Sequence, residues 1–299
     1  GHAITGLYIN RTGINYVSLF GYANISSVIK NTGMVNVNIT GWGDVGGLVG
    51  YNYYGSITNS YSTAGAVKGF GEVGGLVGYN VGHIDNSYSA NTVTYSLPGI
   101  NPGYFGGLVG WNGGTIANSS STGSVTATGD CRWVGGLAGI NYAGSITGSY
   151  STGPVTAGTG NYVGGLVGTN RGGLIDNSHH ITGVVTGTGD FIGGLAGSNE
   201  RNGSMNAIIT NSYNEANVQG AINVGGLVGA NAGGSIDNSH HSVGLVKGSD
   251  FVGGLVGSNE GYVDGDAIIT NSYNTADVQG ESHVGGLIGY NEGRSGRAE

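Results

Sequence analysis

The sequence is poor in most of the residues that carry chemistry. It holds one cysteine, Cys131, so no internal disulfide can form. Three prolines and 66 glycines without a Gly-X-Y period exclude a collagen triple helix. Charged residues make up only 9%, which is unlike the charge-rich composition of solvated disorder. Lys and Arg together number nine and form no basic stripe, so no surface is built to neutralise nucleic-acid phosphates. No run of 18 apolar residues exists, so no segment reads as a transmembrane helix. The net charge of −8 is spread along the chain and says little about partners. The chain opens Gly1-His2-Ala3, without Met and without a charged-then-apolar leader, which reads as a removed leader or a fragment.

What is present is a repeat. Val-Gly-Gly-Leu-Val-Gly or a close variant starts at Val45, Val73, Phe105, Val134, Val163, Ile192, Val224, Val252 and Val284. The steps are 28 or 29 residues five times and 32 residues three times. A length of 299 residues alone would suggest two domains, but a fixed period of this size means stacked supersecondary units. One unit runs Val45-Gly-Gly-Leu48-Val49-Gly50-Tyr51-Asn52, then Gly55-Ser-Ile57-Thr-Asn59-Ser-Tyr61-Ser62, then Gly65-Ala-Val67-Lys-Gly69. These are three short β-type runs between Gly/Asn corners. Nothing has a 3.6-residue period, and the glycine density forbids helix.

The columns hold from unit to unit. Leu recurs from Leu48 to Leu287, Ile from Ile57 to Ile269 with Ile29 before it, and Val from Val67 to Val278 with Val35 before it. One coil cannot bury its apolar side, whereas a stack makes a continuous core. The expected fold is therefore all-β: a single β-solenoid of about ten coils, three short strands per coil, roughly 45–50 Å long at one strand spacing per coil. Residues 1–44 read as N-terminal coils of divergent sequence, 45–291 as the nine-copy array and 292–299 as a polar tail. Leu48-Val49 is apolar on both faces, and the sequence does not say what covers the outer one. An Asn column runs from Asn52 to Asn291, and a second from Asn59 to Asn271 with Gly148 as its exception. Asn suits left-handed corners, and stacked amides form ladders.

At these residues the chain resembles the GLUG-motif repeat proteins, through Gly47-Leu48-Val49-Gly50 and its copies. That family is similar to β-helical passenger regions of bacterial surface proteins, secreted adhesins and the non-catalytic part of immunoglobulin-A peptidases. The resemblance implies an extracellular or cell-surface setting and no activity. The zinc motif His-Glu-x-x-His of the peptidases is absent.

Candidate sites are few. His179-His180 and His240-His241 lie two coils apart, roughly 9–10 Å, too far for one zinc, and read as polar surface or ladder positions. Glu260, Asp264 and Asp266 form a weak candidate calcium loop with the spacing of no known calcium motif. Tyr51, Tyr79 and Trp111 share a column and are candidates for glycan contact, or for packing on one another. The acids are otherwise scattered, so no catalytic site and no cofactor is expected. An ice-binding face is disfavoured by the Ser/His variation at Ser62, Ser89, His180 and His241.

Read in phase, Ile4-Thr5-Gly6-Leu7-Tyr8 resembles the second run Ile146-Thr-Gly-Ser-Tyr150, and the chain ends after a first run. A following copy would complete the unfinished coil. Ile4, Leu7 and Tyr8 would then meet Val284, Leu287 and Asn291 end to end, a heterologous contact that does not close. The expected function is a non-enzymatic extracellular structural or adhesive rod, self-assembling head-to-tail. The alternative is a glycan- or host-surface-binding region of a larger adhesin.

Overall fold

The computed structural model describes residues 2–95, 103–261 and 265–293. The fold is a β-solenoid of about ten coils. Every strand pairing along the stack is parallel, coil on coil, and no helix occurs among the described residues. Four sheets run the length of the array. In one coil, Val73–Gly74 is contained in the strand Glu72–Gly74 of a valine sheet, and Val77–Asn80 belongs to an asparagine sheet. His83–Asp85 belongs to an isoleucine sheet, and Tyr88–Tyr95 crosses a double sheet of two strand columns. The three runs of the sequence are thus three stretches of each coil. The first bends at its Gly-Leu, and the second turns at its Asn.

The bend gives the glycines their reason. A Cβ on Gly74 would lie 1.9 Å from the carbonyl oxygen of Val77, across the bend in the same coil. One on Gly78 would lie 2.5 Å from the amide nitrogen of Val45, in the preceding coil. Backbone packs directly on backbone here, and only glycine leaves the room. The outer face of the Leu-Val run is therefore covered by the neighbouring arm of the solenoid itself.

The Leu and Ile columns point inward: Leu48 to Leu255 and Ile57 to Ile236 are fully buried and join one core. The Val column holds from Val67 to Val246, but its first member differs from expectation. Ile39, not Val35, pairs with Val67, while Val35 pairs with Thr63. The N-terminal phase differs as well. Ile4 pairs with Met34, which pairs with Ser62, five residues beyond the Ile57 column. Gly6, at φ +74°, turns the chain so that Ile9 pairs with Ile39. The segment alternates apolar and polar residues in the same way in either phase, so alternation alone could not choose between them.

The two Asn columns do different work. Asn52 through Asn259 are extended and buried, and Asn291 on the last coil is exposed. Each Nδ2 donates to Oδ1 of the Asn in the following coil, at 2.8–2.9 Å from Asn52 through to Asn291. The left-handed corners belong to the second column, at φ 44–50°, from Asn59 to Asn271. Gly148 replaces Asn there at φ 55°, which glycine adopts freely. A serine ladder, unread in the sequence, sits beside them. Ser87 Oγ donates to Asp85 O and accepts the amide of Ser60 one coil back, and the pattern repeats through Ser272.

The amide ladder has a polarity, and its first rung is incomplete. Ala23 pairs with Asn52, whose Oδ1 is buried without a partner. Ala23→Asn is expected to supply the missing donor and raise stability by about 1 kcal/mol, the net worth of one hydrogen bond. Thermal melting checks this: a Tm equal to or below wild type contradicts the stated ladder direction.

Candidate functional site

Two outward columns flank the glycine bend. One, just before the valine strand, runs Tyr16, Asp44, Glu72, Tyr104, Trp133, Tyr162 and Phe191. The other, on the asparagine sheet, runs Tyr22, Tyr51, Tyr79 and Trp111, then narrows to Ile140, Thr169 and Ser198. From the coil of Trp133 onward one column stays bulky and aromatic while the other becomes small.

The candidate glycan residues Tyr51, Tyr79 and Trp111 are brought together. Tyr51 and Tyr79 stack at 4.6 Å and 5°, and Tyr79 and Trp111 at 4.2 Å and 12°. Tyr22 and Tyr142 extend the stack at its two ends. Ring faces meet ring faces, leaving mainly edges and hydroxyls for solvent. A second stack joins Tyr104, Trp133, Tyr162 and Phe191. A third alternates tyrosine and histidine: Tyr150, His179, Tyr213, His240 and Tyr273, at 4.7–5.3 Å.

That third stack accounts for half of the histidine pairs. The other half, His180 and His241, departs from the surface reading: both are fully buried. Along a strand of the double sheet successive side chains alternate, so one His of each pair joins the outer stack and the other enters the core. His180 lies in a column with Ser62, Ser89, Ser121 and Ser151. The variation at Ser62, Ser89, His180 and His241 is therefore interior, and it carries no information about an ice-facing surface. His180 Nε2 donates to Gly183 O at 2.6 Å, and its Nδ1 lies 3.0 Å from Ser151 Oγ. Burial pulls its pKa down to about 4, against hydrogen bonds to Gly183 and Ser151 that favour the charged ring. His241 is lowered too, first by burial, and its Nε2 has no partner.

The structure brings together two acids that the sequence reading left scattered. Asp44 and Glu72 occupy adjacent rungs of the outward column. Burial, then the charge of Glu72, pushes the Asp44 carboxyl up to about 7. Burial also raises Glu72, moderated by the backbone amides of Glu72 and Asp44. The signal was available: both acids fall immediately before the motif valine in successive units.

Of the candidate calcium loop, Asp264 lies outside the described residues. Among the described residues no group of three or more His, Cys, Asp or Glu is placed to hold a metal ion. Ile4 and Tyr8 are exposed on the double sheet, while Val284 and Leu287 are exposed on the bend. These two sets lie on different sides of the coil. A joint continuing the register would set Val284, Leu287 and Asn291 against Val17 and Phe20–Ala23, and Ile4–Tyr8 against the strands Tyr273–Asn274 and Asp277–Gln279.

Stacked identical coils, glycine bends and continuous amide and serine ladders define a repeat β-solenoid of structural type. The family model for the GLUG motif matches residues 43–68, 71–94, 101–126, 134–156 and 252–279. The chain thus carries the GLUG motif in five of its repeats, consistent with a GLUG-repeat family. No curated protein and no solved structure shows a significant match.

Proposed function

We propose that this chain is a non-enzymatic structural rod of an extracellular or cell-surface protein, built to extend by adding coils in register. One observation carries the reading: the residues that recur in every unit are consumed by coil-to-coil contact. The glycines pack on backbone, the Leu, Ile and Val columns make the core, and Asn and Ser bond along the axis. Repetition of this kind serves length. Both outer coils expose apolar side chains, Ile4, Phe20 and Val28 at one, Val284 and Leu287 at the other. Unpaired strands of this sort are templates for strand addition. A further coil, from a second copy or from more of the same polypeptide, covers them.

Light scattering and electron microscopy across a concentration series test the self-assembly. The expected result is rods that lengthen with concentration, and that Leu287→Glu shortens. Monomers of constant length at every concentration reject the homopolymer. The second reading, a surface that binds glycans, is favoured by a cluster of exposed tyrosines on the first two coils.

A further inference from the structure

The geometry points to a binding site for uncharged polysaccharide on the side of the first two coils, formed by Tyr16, Tyr22, Tyr53 and Tyr54 rather than by the stacked column Tyr51–Tyr79–Trp111. It rests on the surface-binding reading; Tyr53 and Tyr54, on the second coil, lie outside the end-to-end joint, whereas Tyr22 lies within the stretch Phe20–Ala23 that a joint would cover.

The first observation is ring orientation. In the three long columns the rings stack face on face, which leaves few faces for a ligand. Here Tyr22 ends the stack on Tyr51 at 5.2 Å and 13° and lies 6.2 Å and 27° from Tyr53, and around it the order breaks. Tyr16 stands at 89° to Tyr22 and 76° to Tyr51, both at 6.0 Å, and Tyr53 stands at 72° to Tyr54 at 4.7 Å. Edge-on packing leaves ring faces open. Tyr54 is 56% exposed, Tyr22 51% and Tyr16 48%, whereas Tyr79 and Trp111 are half-buried. A pyranose ring binds an aromatic face with its C–H side, so these rings are the ones able to accept it.

The second observation is that tyrosine sits where the fold prefers glycine. Tyr54 follows the ladder residue Asn52 by two positions and holds φ +55°. The same place in later coils is taken by Ala143, Gly172 and Gly233, all left-handed. A bulky residue is strained in that conformation. Packing does not demand it, because three other coils close the corner without it.

The third is the polar setting. A recess lined by Gly13, Ile14, Asn15, Tyr16 and Trp42 opens beside Tyr16. Asp44 is buried close enough to Tyr51 for their charges to interact. No Lys or Arg is among these residues, and the carboxylates Asp44 and Glu72 disfavour uronate or sulfate groups; the one cation bordering the recess is Arg11, whose carbonyl accepts the Ile14 amide. Tyrosine hydroxyls and the Asn15 amide suit sugar hydroxyls. The matching partner is a neutral glycan chain lying across the two coils.

Affinity electrophoresis of the full chain tests this, in gels carrying a soluble β-glucan, a galactomannan or, as the acidic control, polygalacturonate. Retardation is expected with at least one neutral polysaccharide and not with polygalacturonate. Tyr54→Gly combined with Tyr53→Ala should weaken retardation about tenfold, at the scale of lost aromatic contacts. Tyr54→Gly alone should keep or raise Tm, because glycine relieves the left-handed strain, so loss of binding cannot be ascribed to unfolding. Tyr273→Ala, an exposed tyrosine at the far end of the rod, should bind as wild type. The site is rejected if no neutral polysaccharide retards the wild type, if the acidic one retards it equally, if the double variant binds normally, or if Tyr273→Ala loses binding as well. Rod length in the microscope is unaffected by either result, which separates this site from the structural role.

Discussion

Gly165→Ala should unfold or grossly destabilise the protein, while Gly286→Ala should be nearly silent in the unassembled chain. Both residues hold the second glycine of the same motif, and neither has a left-handed backbone, so alanine is conformationally acceptable at both. The difference lies in their surroundings. A Cβ on Gly165 would lie 2.1 Å from the carbonyl oxygen of Gly194 and 2.4 Å from Cδ2 of His180. Both neighbours are fixed: Gly194 in the bend of the next coil, His180 in the buried polar column by its bond to Gly183. A Cβ on Gly286 meets nothing within 4 Å. Overpacking by one methyl usually costs about 1–3 kcal/mol, and a contact this short against immovable backbone should exceed about 4. Chemical denaturation of both variants checks the claim. Equal stability of the two would mean that the motif glycines serve chain flexibility rather than close backbone approach.

That contrast also shows what could be read from the residues alone. The solenoid, its coil count and the Leu and Ile columns were legible, because one-dimensional periodicity is itself the structural fact. The reason for the glycines was not legible. It depends on two arms of the chain meeting across a bend and on a strand of the preceding coil, as Gly78 meets Val45. Phase failed where columns had little to distinguish them: Ile4 alternates with polar residues as Ile146 does, and only pairing with Met34 places it. Val35 was misplaced for the same reason, since Ile39 offers an equally apolar candidate four residues on.

The candidate sites divide similarly. Tyr51, Tyr79 and Trp111 were correctly grouped by column, but a column says nothing of ring orientation. Orientation is what distinguishes their stack from the splayed tyrosines around Tyr16. The His pairs were grouped and then given one role. Strand alternation would have divided them, because Ser62 and Ser89, which pair with one another, are flanked on the same strands by the outward Tyr61 and Tyr88. Asp44 and Glu72 were passed over because acidity was surveyed along the chain rather than down a column.

Acid should weaken the rod through its buried histidines, and the effect should be removable without touching the surface. His180 has a folded pKa of about 4 against an ordinary value of 6.5, with burial the leading cause. A base with a depressed folded pKa stays neutral in the fold while the unfolded chain takes up a proton. Its stability contribution is complete above about pH 6.5 and is lost as pH falls toward 4, by about 3 kcal/mol for His180. His241 acts in the same direction. Asp44 opposes them: its raised pKa means the fold favours the protonated acid, so its stability contribution is full below its ordinary 3.8 and is lost as pH rises toward 7. The net slope of the wild type therefore mixes two signs, and a difference is the measurement to make. His180→Asn with His241→Asn is the appropriate variant, because Asn214 already fills that column and satisfies its amide on Ala216 and Gly226. Denaturation at pH 7 and at pH 4.5 should show the wild type losing more stability on acidification than the double variant, by about 2–3 kcal/mol. The neighbouring His179 and His240 remain in both proteins and cancel in the comparison. Parallel pH profiles for the two would show that the interior histidines are not desolvated, and that acid acts on the rod elsewhere.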